Sequence, residues 1–189
     1  MNTQSANLRL VHICLFAALI AALGLIPRID LPIAAGVPIT AQTLGVMLAG
    51  LILGPRAGAL AVLLFLFVVA LGMPFLAGGR GGLGVFLGPT AGFLFGWIAG
   101  AFMTGLIGSG LSEARQTWRF LRALAAAFIG GVITVYVFGI AWLVIVAGLS
   151  LSAASLATAV FLPGDICKAF IAAALSIKVA DGSQSRSLQ

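Results

Sequence analysis

"LATAVFLPGDICKAFIAAALSIKVA", residues 156–180, is almost wholly apolar, yet at its centre it carries an acid, Asp165, and a base, Lys168, three residues apart. A charge at a bilayer centre costs about 2.5–3.5 kcal/mol on insertion scales, so a chain does not keep one there without use. At i, i+3 the two side chains share a helix face and partly neutralise each other. Pro163 and Gly164 just ahead mark where the helix proper begins, which predicts free backbone N–H groups aimed into the same place. Two readings follow: an ion pair that tethers a helix end, or a polar ligand site facing a cavity.

The rest of the chain has the same character. Of its 189 residues 62% are hydrophobic and 7% charged, whereas a soluble domain carries about 25% charged residues. A helix needs about 20 apolar residues to cross the hydrocarbon. The chain therefore reads as an all-α integral membrane protein, one polytopic domain over residues 1–189. Gly and Pro breaks predict six transmembrane helices, at about 8–26, 40–53, 57–71, 90–109, 120–147 and 157–180. The first run is long for a signal peptide and further spans follow it, so it is read as a retained helix. The net charge of +6 is spread over the ends of apolar runs, a pattern for cytoplasmic loops in contact with membrane lipid and not for nucleic acid. One side collects Arg9, Arg56, Arg115, Arg119, Arg122, Lys178 and Arg186, seven in all, against two, Arg28 and Arg80, on the other. The positive-inside rule then places both termini in the cytoplasm.

Small residues indicate how the helices pack. Gly92, Gly96, Gly100, Thr104 and Gly108 fall at every fourth position and form a ridge along the fourth helix, while Ala17–Ala21 and Ala18–Ala22 repeat that spacing in the first. In lipid such seams let backbones approach closely; the fourth-helix ridge reads as internal packing, and the first-helix seam as internal or as a contact with another protein. "LGPRAG" (53–58) and "LGPTAG" (87–92) repeat a Gly-Pro helix start. They read as reused turn chemistry, with an inverted-repeat transporter as the alternative.

Two further stretches can meet a ligand. "AGGRGGLG" (77–84) contains a G-x-G-x-x-G match, but without the βαβ unit a dinucleotide fingerprint needs. Its glycines let backbone amides approach an anion while Arg80 supplies charge; the alternative is a flexible outer loop with a solvated arginine. "GVPITAQT" (36–43) brings Thr40, Gln42 and Thr43 to the outer end of the second helix, either as hydrogen-bonding groups for a small polar ligand or as helix caps. Cys14 and Cys167 stand alone and His12 is the chain's one histidine, so neither a metal site nor a disulfide is expected. No nucleophile–base set or close carboxylate pair is present, and the chain is read as not an enzyme.

In "GVPITAQTLGVMLAGLILGPRAGALAVLLFL", "AGGRGGLGVFLGPTAGFLFG" and "LPGDICKA" the sequence resembles the BioY family, the biotin-specific S components of energy-coupling factor (ECF) transporters, from roughly Leu8 to Ala180. The resemblance implies a six-helical protein of the bacterial inner membrane that captures biotin from outside. It implies docking on a transmembrane T component driven by two ATP-binding-cassette ATPases, with ATP consumed there and no cofactor in this chain. It implies that Asp165 accepts from the ureido N–H groups of biotin and that Lys168 donates to the ureido oxygen. Arg80 and the amides of Gly79, Gly81 and Gly82 would receive the carboxylate, with Thr40 and Gln42 as lesser contacts; a flipped ligand with Lys168 on the carboxylate is the rival. It implies that Ala17, Ala18, Ala21 and Ala22 dock the T component. A carrier or S component for another vitamin-like solute, and an intramembrane transferase, are the alternatives from other classes. The basic asymmetry makes a prediction of its own. A cysteine introduced beside Arg80 should react with an impermeant thiol reagent on intact cells and one beside Arg119 should not; the reverse pattern would overturn the orientation.

Overall fold

The computed structural model describes residues 3–28, 39–109 and 116–186. Residues 29–38 of the first long connection, including Gly36 to Pro38 of the "GVPITAQT" stretch, and Arg115 lie outside the described residues. The described residues form helices α1 (Thr3–Leu23), α2 (Gln42–Leu53), α3 (Pro55–Ala70), α4 (Ala91–Gly108), α5 (Gln116–Phe128), α6 (Val135–Ile145), α7 (Leu151–Ala159) and α8 (Leu162–Arg186). A 3-10 turn, Leu83–Phe86, precedes α4, and a π-helical turn, Ile129–Thr134, joins α5 to α6. The fold is all-helical, as expected. By length and composition Ala91–Gly108 and Trp118–Ile145 are long and apolar enough to cross a membrane, and a third crossing arises if α7 and α8 count as one bent span. At 1.5 Å per residue the 12-residue α2 is only about 18 Å long.

α4 is the central helix, packed against α2, α3, α5, α6 and the π-helical turn, with α1 against α2 and α3, and α8 against α2 and α5. The glycine ridge explains how α4 takes so many neighbours. A Cβ on Gly92 would collide with Trp142, one on Gly96 would stand 3.1 Å from Val135, and one on Gly100 would stand 2.8 Å from the Gly130 carbonyl oxygen. The outer surfaces of the helices are apolar instead: Leu15, Phe67, Val137, Leu156 and Phe170 are exposed. Gln42 and Asp165 are buried. Apolar outside and polar inside is the arrangement a lipid solvent selects.

Three local departures from the expected pattern matter for the site. The expected sixth helix, 157–180, is two pieces, α7 and α8, bent by 52° across Val160 and Phe161. Pro163 is tolerated as the second residue of α8 because an N–H there has no intrahelical partner to lose. The N–H of Asp165 is not free, since it already donates to the Phe161 carbonyl at 3.0 Å. The two Gly-Pro stretches also differ: Pro55 begins α3 directly after Gly54 (φ 80°), whereas α4 begins at Ala91, two residues beyond Pro89. Finally, the long helix expected over 120–147 is interrupted by the π-helical turn, where the Thr134 hydroxyl donates to the Ile129 carbonyl at 2.9 Å. One extra residue in a helical turn changes which side chains face inward beyond it, and here those are Val135 and Tyr136.

The packing of α4 predicts a contrast between two glycines. Gly100→Ala places a methyl against backbone that cannot move aside and should cost about 1–3 kcal/mol. Gly84→Ala, with nothing within 4 Å of the new methyl, should be close to neutral. Thermal unfolding of the two variants in detergent measures the difference.

Candidate ligand-binding site

The break before α8 brings the acid and base of its first two turns into the middle of the bundle. Asp165 is 4% exposed. Its Oδ1 accepts from Lys168 Nζ at 2.7 Å and from Thr43 Oγ1 at 3.2 Å, and its Oδ2 accepts from the Tyr136 hydroxyl at 2.7 Å. Lys168 also donates to Thr43 Oγ1 at 3.0 Å. Residues from α2, α6 and α8 thus converge on one carboxylate. A carboxylate offers about four acceptor positions and an ammonium three donors. The contacts just given occupy three of the former and two of the latter, leaving roughly one acceptor and one donor for a ligand.

These groups line one cavity that opens between the helices. Its walls are apolar: Leu76, Phe93, Leu94, Trp97, Val135 and Phe161. Phe93 and Phe161 meet edge-to-face with ring centroids 6.3 Å apart, and Phe65 backs Trp97 at the same separation. The remaining polar wall is formed by Thr40, Gln42, Thr90 and Arg80. Arg80 reaches Thr90 Oγ1, at the start of α4, at 3.5 Å, and its Nε lies 3.4 Å from the Ala77 carbonyl oxygen. The cavity therefore has three zones: a polar cluster whose ion pair sums to no net charge, an apolar middle, and a side formed by Arg80 and Thr90.

The structure assembles the expected site residues unequally. Asp165, Lys168, Arg80, Thr40 and Gln42 all line this cavity. Gln42 also binds the surrounding backbone: Nε2 donates to the Ile20 and Phe75 carbonyls, each at 3.1 Å, and Oε1 accepts from Ala77 N at 3.0 Å. Gly79 and Gly81 lie instead along a shallower neighbouring depression that shares Arg80 and Thr90 with the cavity. The Gly82 N–H donates to the Val69 carbonyl at 2.8 Å. In α1 the two alanine pairs separate: Ala17 is buried and Ala21 partly so, whereas Ala18 and Ala22 are exposed. Sequence reasoning missed Tyr136 and the aromatic wall. Tyr136 had a usable signal, being the chain's single tyrosine in an otherwise apolar segment; the wall had none, because its residues look like any other apolar positions.

Comparison with known proteins shows the family. The family model described as the BioY family matches residues 1–185. The chain is 52% identical over 178 residues to the biotin transporter BioY of Rhizobium etli, a match covering 92% of this chain and 93% of that protein. It is 54% identical over 166 residues to the biotin transporter BioY of Rhodobacter capsulatus, covering 83% and 85% respectively. Its fold is similar to a crystal structure, at 2.1 Å, of the S-component for biotin from an ECF-type ABC transporter. There the TM-score is 0.86 at 30% identity, over 96% of this chain and 95% of that one. With a family model spanning nearly the whole sequence and relatives matched over most of their length, the chain belongs to the BioY family.

Proposed function

We propose that this protein is the substrate-binding S component of an ECF-type transporter and captures biotin in the cavity at Asp165. The observation that carries the reading is the zoning of that cavity. Biotin has a neutral ureido ring with two N–H donors and one carbonyl, an apolar bicycle and a carboxylate tail. A neutral polar cluster suits the ureido ring, aromatic walls suit the bicycle, and the Arg80 side suits the carboxylate. The hydrogen-bond count refines the match: one ureido N–H takes the remaining acceptor position of Asp165, and the ureido oxygen takes the remaining donor of Lys168. The second N–H turns to the lone pairs of the Tyr136 hydroxyl. Membership in a family of named transporters sets aside the transferase reading.

In this reading the chain lies in the bacterial inner membrane as six helical passes, α2 and α3 forming a short hairpin and α7–α8 one bent pass, with both termini cytoplasmic. The cavity opens outward. A T component docks on α1, and two ATPases supply the energy, so this chain consumes no ATP. The exposure of Ala18 and Ala22 supports that docking face, because close backbone approach needs small residues turned away from the chain's own core.

Two predictions follow from this assignment. Asp165→Asn removes a charge-assisted hydrogen bond worth about 1.5–3 kcal/mol, so biotin affinity of the purified chain should fall by about ten- to a hundredfold. Desthiobiotin, which keeps the ureido group, should show the same loss, and Tyr136→Phe a smaller one of about three- to tenfold. Unchanged affinity with loss of folding would make the cluster a tether only. For α1, Ala18→Trp and Ala22→Trp should preserve biotin binding and abolish co-purification with the T component and ATPases. Ala17→Trp, aimed into the core, should abolish expression. Equal loss of biotin binding in all three would place the whole seam inside the fold.

A further inference from the structure

We infer that Thr90 is a further ligand-contacting residue, its hydroxyl donating a hydrogen bond to the ligand's carboxylate. This rests on the reading above that biotin lies with its ring at Asp165 and its tail at the Arg80 side. Thr90, Phe93, Leu94 and Trp97 all line the cavity. Their spacing of i, i+3, i+4 and i+7 is that of one helix face, so the start of α4 turns Thr90 into the same space as the aromatic wall. Thr90 is also common to the cavity and the neighbouring depression. Even so, it is only 6% exposed, and a buried hydroxyl that is not fully hydrogen-bonded costs stability.

The fold makes little use of this hydroxyl. Thr90 is the N-cap residue of α4, where a threonine oxygen ordinarily accepts from an N–H of the first turn, but here the side chain makes no such bond. The N–H groups of Phe93 and Leu94 donate instead to the backbone carbonyl of Thr90, at 3.1 and 3.3 Å. The turn ahead is held by the Gly88 carbonyl, which accepts from Ala91 N at 3.1 Å and from Trp142 Nε1 at 3.0 Å. The Thr90 side chain has one long contact, Arg80 Nη1 donating to its Oγ1 at 3.5 Å. Its hydroxyl hydrogen meets no acceptor among the described residues. Other threonines spend theirs within the protein: Thr43 donates to Asp165, Thr134 to the Ile129 carbonyl and Thr158 to the Ala154 carbonyl. Thr104 also lacks a partner, but it is sealed between Gly50 and Gly130, where no ligand can enter. Thr90 differs in facing a cavity. A carboxylate oxygen suits the position, because the N-terminal end of an 18-residue helix favours negative charge.

The test compares equilibrium binding of biotin to the purified full chain with that of an analogue that keeps the bicycle and ends its tail in a methyl group in place of the carboxylate. Thr90→Val keeps the shape and removes the hydroxyl. It should lower affinity for biotin about tenfold and leave the analogue nearly unchanged. Thr90→Ser keeps the hydroxyl and should stay within about threefold of the unsubstituted chain for both ligands. Thermal unfolding of ligand-free Thr90→Val should match the unsubstituted chain, since the side chain caps nothing. The inference is overturned if Thr90→Val weakens both ligands alike or weakens neither. If Thr90→Val does not fold, Thr90→Ala is compared with Thr90→Ser, and equal affinity of the two for biotin overturns the inference. Absence of biotin binding by the unsubstituted chain would overturn the reading beneath it, and equal affinity of that chain for biotin and the analogue would overturn the assignment of the carboxylate, and Thr90 with it.

Discussion

A buried carboxylate in a lipid-embedded bundle must be surrounded by donors or it destabilises the fold by several kcal/mol. Asp165 meets this constraint with one ammonium, one phenol and one threonine hydroxyl, drawn from three helices. Removing the charge would be the simpler route to stability, because apolar replacements of buried ion pairs are often neutral or stabilising. That the chain instead keeps the charge and arranges neighbours around it is what an ion pair kept for recognition looks like. The surrounding donors leave part of the hydrogen-bonding capacity of the pair open to the cavity, which a simple tether has no need to do.

Much of the remaining architecture serves that arrangement. The bend between α7 and α8 starts a new helix just before Asp165 and turns Phe161 into the cavity wall. The π-helical turn adjusts the phase of α6 so that Tyr136 reaches Asp165 at 2.7 Å. Gly130 and Gly131 permit that turn by lying against Thr104 of α4 and Met47 of α2, where any Cβ would collide. Across the cavity, Gln42 ties α1, α2 and the loop carrying Arg80 into one unit. At the far end of the molecule, the Arg119–Asp181 ion pair of 2.7 Å fastens the start of α5 to the end of α8. The positions that make the cavity are thus held by bundle interior and not by loop conformation alone.

How much of this was legible in the sequence depended on whether the physics was local. Helix positions followed from apolar runs broken by Gly and Pro, and the packing of α4 from a four-residue repeat of small side chains. Asp165 and Lys168 stood out because a charge in an apolar run is costly wherever it points. The split between α7 and α8 was partly legible: Pro163 and Gly164 signalled a break, but the structure begins the new helix at Leu162 and forms a separate α7 from Leu151. The π-helical turn has no comparable mark, since Gly130-Gly131 also occurs in plain helix. Gln42 showed the opposite difficulty. Its polarity near a predicted site suggested a ligand contact; it lines the cavity and is also bound by three distant backbone groups, at Ile20, Phe75 and Ala77. Those backbone partners are far away in sequence, so only tertiary structure reveals them.

The central claim is that this chain by itself holds a complete biotin site. Equilibrium binding of labelled biotin to the detergent-purified chain, without T component or ATPases, tests it most directly. The account predicts saturable one-to-one binding, competed by unlabelled biotin, with the ligand recovered chemically unchanged. Absence of saturable binding, or recovery of a modified product, would contradict it.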